Sequence, residues 1–277
     1  MKLFDIGANL TNSDFDQDLE DVLQRATDQN VAGMLITGTT LKDSETAIHY
    51  CQQYPEANLW STAGVHPHYS KDFSANQLEQ LSALAKDPYV LAIGETGLDF
   101  NRDFSPRDAQ EESFLLHLEV GSATDKPLFL HEREAFERQH DILRHHRNDF
   151  TCGVVHCFTG DKKALYAYLD LDLYIGITGW VCDERRGLEL QRLVKDIPAD
   201  RLLLETDAPY LLPRDIKPRP KSRRNEPLYM KHIAQVVARL RDIEVNELTD
   251  QVWENTKRLF GQKIDHSYKS ELEKQVT

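Results

Sequence analysis

Short apolar runs alternate with longer amphipathic stretches along most of the chain. Eight of the apolar runs have the length and the β-branched or aromatic content of buried strands. They cover residues 3–8, 33–37, 60–65, 91–96, 128–131, 153–157, 173–178 and 202–206. Intervals of about 20 to 35 residues suit one strand and one helix per unit. The pattern predicts an α/β fold in which the strands close into a TIM (β/α)8 barrel.

Apolar residues at helical spacing fill the intervals between the predicted strands. The predicted helices cover residues 16–29, 43–53, 76–86, 107–123, 135–147, 162–169 and 188–195. A last pair, 227–241 and 245–260, is expected to pack under the barrel. We predict one barrel domain over residues 1–261, followed by a polar tail, 262–277, that frays.

The composition is that of a globular protein, with 40% hydrophobic and 29% charged residues. The apolar runs are far shorter than the roughly 18 residues that a membrane helix needs, so no membrane partner is expected. The N-terminal Met1-Lys2-Leu3-Phe4-Asp5 lacks the apolar region of a signal peptide, which favours a cytoplasmic location. No oligomer interface is legible, and we expect a monomer. The cysteines form no C-x-x-C pair and are expected to be free thiols: Cys51, Cys152, Cys157 and Cys182.

The charge of the chain is unevenly distributed. A net charge of −13 argues against a nucleic-acid partner, because phosphate binding usually requires a basic surface. Between Arg214 and Arg224, however, the chain has six basic residues and one acidic residue. This segment follows a predicted strand, where loops overhang the active face of a barrel, so we expect it to bind anions, with Arg223 and Arg224 contacting the substrate. The alternative is a solvated loop.

Four predicted strands end in side chains that can bind a divalent metal ion: Glu95, His131, His156 and Asp207. The carboxyl ends of the strands form the functional face of a barrel, so we expect the four side chains to converge there. Each residue alone has a structural explanation, such as a core histidine or a helix cap. Together they offer the nitrogen and oxygen ligands of a hydrolytic metal site that keeps a position open for water.

The segments around Glu95 and His66 add detail to this site. Gly94 and Gly97 flank Glu95, which indicates close approach of the backbone. His66 and His68 stand on either side of a proline, and in an extended chain they would face the same way and could hold a metal ion. Because the proline marks the end of the strand, we favour His66 as a phosphate or leaving-group contact and His68 as a loop residue.

Four motifs make the chain similar to the TatD family of metal-dependent deoxyribonucleases. They are Gly64-Val65-His66-Pro67-His68, Gly94-Glu95-Thr96-Gly97-Leu98-Asp99, His156-Cys157-Phe158-Thr159-Gly160 and Glu205-Thr206-Asp207-Ala208-Pro209-Tyr210-Leu211. The match runs from about Phe4 to Gly261, and Trp180-Val181-Cys182-Asp183-Glu184-Arg185-Arg186-Gly187 resembles the member after which the family is named. The resemblance implies a TIM barrel of the metal-dependent hydrolase type.

The resemblance also implies the metal ligands. Glu95, His131 and His156 would bind the ion. Asp207 would be a further ligand, or the carboxylate that orients and deprotonates the attacking water.

Three more residues receive roles from the same resemblance. His66 would lie by the scissile phosphate. Arg133 occupies a place where the family often has an arginine, and a phosphate clamp is its natural task. Glu205, two residues before Asp207 on the same strand, would support catalysis through a hydrogen bond to the metal-binding groups.

The first strand departs from the family pattern, in which an Asp-x-His-x-His segment holds one ion of a two-metal site. Here it reads Asp5-Ile6-Gly7-Ala8-Asn9. Gly7 has no ligand atom, and Asn9 offers a neutral carbonyl oxygen that suits Mg²⁺ better than zinc. We therefore expect one tightly held divalent ion, Mg²⁺, as in the similar family member that also lacks these histidines. The alternative is impaired catalysis.

The predicted activity is metal-dependent hydrolysis of phosphodiesters. A barrel mouth bordered by loops admits a flexible chain end more easily than a duplex, which favours exonucleolytic attack on single-stranded DNA or RNA. The 3′ to 5′ direction and a role in DNA repair, including oxidative damage, are implied only by the resemblance. Two alternatives stay open: a metal-dependent deacylase acting on D-aminoacyl-tRNA, and a non-catalytic nucleic-acid binder. Aromatic residues expected near the mouth to stack bases are Phe100, Phe158, Trp180 and Tyr210.

Overall fold

The computed structural model describes residues 2–265, and eight parallel strands within them form one sheet. The strands are β1 Leu3–Ala8, β2 Val31–Ile36, β3 Leu59–Ala63, β4 Val90–Asp99, β5 Leu128–Arg133, β6 Gly153–Val155, β7 Tyr174–Ile177 and β8 Leu202–Leu204. Strands that follow one another in sequence are neighbours in the sheet. The barrel closes where Ala8 of β1 pairs with Ala208 beyond β8. The predicted TIM barrel is therefore confirmed.

Helices follow the strands, as the amphipathic spacing predicts. They are α1 Leu19–Asp28, α2 Leu41–Gln53, α3 Leu78–Ala85, α4 Arg107–Thr124, α5 Phe136–His145, α6 Lys162–Asp170, α7 Leu188–Leu193, α8 Met230–Arg241 and α9 Val245–Phe260. Each predicted helix is present, with ends that differ by a few residues. None of the helices in residues 2–265 is long and apolar enough to cross a membrane.

Two apolar clusters hold the barrel together. One lies between the strands and the outer helices, and the other is formed by side chains of the opposite strand face. Trp253 and Phe260 of α9 belong to this second cluster, and the Trp253 ring packs edge-on against Phe4 of β1, with the ring centroids 6.5 Å apart. Of the helix pair expected under the barrel, α9 thus closes the end opposite the strand carboxyl termini, whereas α8 contacts β1, β8 and the turn after β7.

The packed part of the chain extends past the expected boundary at residue 261. Gln262–Ile264 form a 3-10 turn in which Ile264 is fully buried. Its carbonyl accepts a hydrogen bond from Asn58 Nδ2 at 2.8 Å. The expectation of a fraying tail does not hold for residues 262–264, and residues 266–277 lie outside the described part of the chain.

Two glycines let β4 extend beyond its predicted end and lie close against β5. Gly94 and Gly97 have φ angles of 146° and 133°, which strain L side chains. A Cβ atom would lie 2.2 Å from the Phe129 carbonyl oxygen at Gly94, and 2.1 Å from the His131 carbonyl oxygen at Gly97. The close approach expected from the sequence is confirmed, and it brings Glu95 beside His131.

Candidate metal centre and catalytic cavity

Three histidine side chains surround one carboxylate oxygen at the carboxyl ends of the strands. Glu95 Oε1 lies 2.8 Å from His131 Nδ1, 2.7 Å from His156 Nε2 and 3.4 Å from His66 Nε2. Glu95 and His131 belong to β4 and β5, whereas His156 and His66 lie in the segments that follow β6 and β3. The structure thus brings together three of the predicted ligands, and His66 joins them.

The donor set fits a divalent metal ion. Glu95, His131 and His66 each offer one ligand atom, and these atoms lie within 4.8 Å of one another. The other ring nitrogen of His131, Nε2, is buried and makes no well-aligned hydrogen bond among residues 2–265, since Asp99 Oδ2, at 3.4 Å, is a long contact. Buried polar atoms are rarely left without a good partner, so a bound ion would satisfy this one. His66, which the sequence assigned to the substrate, is as well placed to bind metal as the predicted ligands.

Opposite charges stabilise the cluster. Burial raises the pKa of Glu95, but His66, His156 and His131 together hold it well below its ordinary value. Burial lowers the pKa of His156, but Glu95 and Glu205 hold it well above its ordinary value. Positive charge is therefore favoured beside the Glu95 carboxylate, which is the electrostatic condition for holding a cation.

Glu205 lies beneath His156 and is fully buried. Its Oε2 atom is 3.4 Å from His156 Nδ1, and its Oε1 atom accepts a hydrogen bond from the backbone N–H of Cys157. The carboxylate also fills the space beside Gly7, where a Cβ atom would lie 2.3 Å from Glu205 Oε2. The position that carries a histidine in the family pattern is thus occupied by the carboxylate of Glu205.

Asp207 lies next to the cluster and is held by Asn9. The Asn9 Nδ2 group donates a hydrogen bond to Asp207 Oδ1 at 2.9 Å. Burial, with Glu95 and Glu205 nearby, raises the pKa of Asp207 to about 7. Its φ angle of 56° is left-handed, a conformation that is uncommon outside glycine and clusters at functional sites. Asp207 is therefore suited to accept a proton near neutral pH.

Sequence reasoning missed Asp99 as part of the site and treated His68 as a loop residue. His68 Nε2 lies 2.8 Å from Asp99 Oδ2, which is also 3.4 Å from His131 Nε2. Burial raises the pKa of Asp99, but the nearby imidazoles of His131 and His68 hold it far below its ordinary value. The aspartate at the end of the Gly94 motif was the available signal.

The cluster opens into a cavity of about 660 Å³ at the mouth of the barrel. Arg133, the expected phosphate clamp, lines it together with Arg102, which sequence reasoning missed. Phe158 is buried against the core and is not free to stack on a base. The aromatic residues that line the cavity are Tyr69, Phe104, Trp180 and Tyr210.

The basic segment lies elsewhere than expected. Arg224 donates to both carboxylate oxygens of Asp18 at 2.7 Å and to Glu226 at 2.8 Å. Neither Arg223 nor Arg224 is among the described residues that line the cavity. The assignment of Arg224 to the substrate is therefore corrected, because its guanidinium is committed to two carboxylates of the protein.

Comparison with known proteins assigns the family. A family model described as TatD related DNase matches residues 4–261. The chain belongs to this family. A protein of Erwinia tasmaniensis described as 3′-5′ ssDNA/RNA exonuclease TatD is 50% identical over 259 residues, covering 94% of this chain and 100% of the relative. A Klebsiella pneumoniae protein of the same description is 51% identical over 259 residues, covering 94% and 98%.

Solved structures of TatD proteins share the fold. A TatD family hydrolase of Entamoeba histolytica superposes with a TM-score of 0.86 at 27% identity, covering 94% of this chain and 98% of the other. A TatD homologue of Escherichia coli K12 gives a TM-score of 0.84 at 26% identity, covering 93% and 97%. The family predicted from the four motifs is confirmed.

Proposed function

We propose that the chain is a metal-dependent 3′–5′ exonuclease that hydrolyses phosphodiester bonds in single-stranded DNA or RNA. The observation that carries the proposal is the convergence of Glu95 and three histidines at the open end of a barrel that belongs to a DNase family. Relatives of about 50% identity described as 3′-5′ ssDNA/RNA exonucleases support the substrate and the direction.

The proposed metal site uses the residues at the mouth. Glu95, His131 and His66 would hold a divalent cation, and His156 would be its nearest further ligand. When bound, such an ion polarises a phosphoryl oxygen and lowers the pKa of a water molecule. Glu205 fixes the ring of His156 from below, which sets the direction of its Nε2 atom.

Asp207 is the proposed general base. Its raised pKa makes the carboxylate a better proton acceptor near neutral pH than an ordinary aspartate. Asn9 holds one carboxylate oxygen by donating a hydrogen bond, which leaves the other oxygen for the attacking water. Neither Asp207 nor Asn9 carries a positive charge that could bind phosphate. Substituting either residue should therefore impair proton transfer and leave substrate binding unchanged.

Two arginines are proposed to hold the substrate phosphates. Arg133 and Arg102 line the cavity, and a guanidinium can donate two parallel hydrogen bonds to one phosphate. This positive charge lies inside a protein of net charge −13. The anionic substrate is therefore attracted mainly at the mouth.

The aromatic lining favours single strands. Phe104 and Tyr210 are 56% and 53% exposed, and both line the cavity. Exposed aromatic faces stack on unpaired bases with little sequence preference. A duplex keeps its bases stacked on one another, so it gains less from this surface.

The identity of the ion is part of the proposal. Mg²⁺ was expected partly because Asn9 could offer an oxygen, but the Asn9 amide nitrogen donates to Asp207. The remaining donors are rich in imidazole nitrogen, which suits Zn²⁺ better than Mg²⁺. Activity with each ion must therefore be compared directly.

We propose that the protein acts as a monomer, because no oligomer interface is legible in the sequence. A cytoplasmic location and a role in DNA repair, including repair of oxidative damage, are also proposed. They rest on the sequence pattern and on the family.

The test is hydrolysis of a single-stranded oligonucleotide after removal of bound metal with a chelator and re-addition of Mg²⁺, Mn²⁺ or Zn²⁺. We expect activity to return with at least one ion, and to be lost in Glu95→Ala and His156→Ala. His145→Ala, an exposed histidine on α5, is the matched control and should keep full activity. Activity in the Glu95→Ala protein would contradict the site. Hydrolysis of D-aminoacyl-tRNA alone would identify a deacylase, and binding without hydrolysis would identify a nucleic-acid binder.

A further inference from the structure

A second cluster of metal-binding side chains lies outside the catalytic cavity. Cys182 ends the 3-10 helix Gly179–Cys182 after β7, and His232 lies in the first turn of α8. Asp215 lies between them in space, in the long irregular segment that joins β8 to α8. One ligand atom from each residue lies within 4.8 Å of the others. None of the three is among the described residues that line the cavity.

The three ligand types together point to zinc. A thiolate is a soft ligand that Mg²⁺ and Ca²⁺ avoid, whereas zinc binds sulfur, imidazole nitrogen and carboxylate oxygen in one tetrahedral site. Three protein ligands leave a fourth position for water. The catalytic cluster offers only nitrogen and oxygen, so the two sites differ in the metals that they favour.

The present distances require a small rearrangement. His232 Nε2 lies 2.6 Å from Asp215 Oδ1, which is a direct hydrogen bond. Zinc bond lengths place neighbouring ligand atoms roughly 3.5 Å apart. Binding of an ion would therefore break this hydrogen bond and move His232 Nε2 and Asp215 Oδ1 slightly apart.

The cluster is accessible from one side. Cys182 is 2% exposed, whereas the side chains of Asp215 and His232 are 35% and 27% exposed. An ion can thus enter past the carboxylate and the imidazole, with the thiol as the innermost ligand. A buried sulfur beneath two partly exposed ligands also limits loss of the ion to solvent.

We propose that Cys182, Asp215 and His232 bind one Zn²⁺ ion that anchors the basic segment to α8 and to the turn after β7. Long irregular segments are uncommon in compact proteins, and those that are ordered usually have a function. Other contacts hold the ends of this one: Arg214 lies 3.4 Å from Glu184, and Asn225 Nδ2 donates to the Thr206 carbonyl at 2.9 Å. The ion would add a fixed point at Asp215, next to the mostly exposed residues 217–223.

Cobalt substitution tests the proposal with a signal that the catalytic cluster cannot give. Metal-free protein is titrated with Co²⁺, and the near-ultraviolet charge-transfer band of a Co²⁺–thiolate bond is recorded. We expect the band to rise to one equivalent at this site and to be displaced by Zn²⁺. Cys182→Ser should abolish it, whereas Cys157→Ser, a thiol beside the catalytic cavity, should leave it unchanged.

Two further readouts separate loss of the site from loss of the fold. His232→Gln keeps Cys182, and we expect it to weaken Zn²⁺ binding at least tenfold while far-ultraviolet circular dichroism is unchanged. In the parent protein, Zn²⁺ should slow tryptic cleavage after Lys221 and Arg223. Absence of the thiolate band in the parent protein, or its persistence in Cys182→Ser, would overturn the proposal. The three residues would then form only a hydrogen-bonded structural group.

Discussion

At the scale of single residues, the site depends on glycines that leave space for a buried carboxylate. Glu205 occupies the volume next to Gly7 and Gly176, where Cβ atoms would lie 2.3 Å and 2.6 Å from its carboxylate oxygens. These two glycines therefore leave the space for the carboxylate that contacts His156. We infer that Glu205 compensates for the departure from the family motif at position 7.

Gly7→Ala tests this compensation. The added methyl group would push Glu205 away from His156, so we expect kcat to fall by about 10- to 100-fold, the usual effect of losing such a supporting contact. The measurement is steady-state hydrolysis of single-stranded DNA, with the melting temperature as the control for folding. Unchanged kcat would mean that Glu205 does not position His156.

Asn9→Ala tests the positioning of Asp207. Loss of the 2.9 Å hydrogen bond removes a contact that lowers the pKa of Asp207. We expect the acidic limb of the kcat profile to move to higher pH, because more of the aspartate is protonated at a given pH. Asn101→Ala, which removes an exposed amide near the mouth, serves as the control. An acidic limb at the same pH would remove Asn9 from this role.

At the scale of elements, α4 supports the segment that carries His66. His117 of α4 is fully buried, and its Nε2 atom accepts a hydrogen bond from Val65 N–H at 2.9 Å. Its Nδ1 atom lies 2.7 Å from the Ser113 carbonyl and donates to it. Both ring nitrogens of neutral His117 are therefore hydrogen-bonded. Protonation would add an N–H at Nε2, which would face the N–H of Val65.

The neutral state that these hydrogen bonds require makes the free energy of unfolding depend on pH. Burial lowers the pKa of His117 from 6.5 to about 4. The stabilisation is therefore complete above pH 6.5 and is lost as the pH falls toward 4, in total about 3 kcal/mol at 1.36 kcal/mol per pKa unit. Urea unfolding of the parent protein and His117→Gln between pH 7 and pH 4 measures it. A difference between the two that does not change with pH would contradict the assignment.

The basic segment gives a second test at this scale. Lys221 and Arg223 are exposed, whereas Arg224 is held by Asp18 and Glu226. Lys221→Ala with Arg223→Ala should reduce the salt dependence of single-strand binding by roughly 0.7 in log–log slope per lost phosphate contact. Arg224→Ala should instead lower stability, by about 1 kcal/mol for a partly exposed ion pair. An unchanged salt slope would make the segment a solvated loop.

The sequence predicted the strands and helices more accurately than the contacts between residues that are distant in sequence. The eight strands and the convergence of Glu95, His131 and His156 follow from apolar runs that end in residues able to bind a metal ion. Arg102 could not be placed, because its position depends on how the loop after β4 folds over the mouth. Asp99 was missed because β4 extends to residue 99, beyond its predicted end at residue 96. Arg224 was misassigned because its partner, Asp18, is distant in sequence and only the fold brings the two together.

At the scale of the whole molecule, one barrel carries two clusters of side chains that could hold a metal ion. The cluster at the mouth offers imidazole and carboxylate, and the cluster of Cys182, Asp215 and His232 offers a thiol as well. The barrel is closed by pairing of its first strand with the segment after its last, so the side chains at the mouth come from elements far apart in sequence. Ion binding at the mouth should therefore stabilise the fold as a whole.

The melting temperatures of the metal-free and the metal-saturated protein test this coupling. An ion that binds only the folded state at a hundred times its Kd stabilises by about 2.7 kcal/mol. We expect saturating Mn²⁺ or Mg²⁺ to raise the melting temperature of the parent protein and of Cys182→Ser, but not that of Glu95→Ala. An equal rise in the Glu95→Ala protein would place the stabilising ion elsewhere.

The most direct test of the central claim follows the products of 5′-labelled single-stranded DNA, with and without a divalent cation. We expect a metal-dependent ladder of progressively shorter labelled products, blocked by a phosphorothioate at the 3′ end and absent in the Glu95→Ala and His156→Ala proteins. Cleavage that survives chelation or these substitutions, or that releases the label first from the 5′ end, would contradict a metal-dependent 3′–5′ exonuclease at this site.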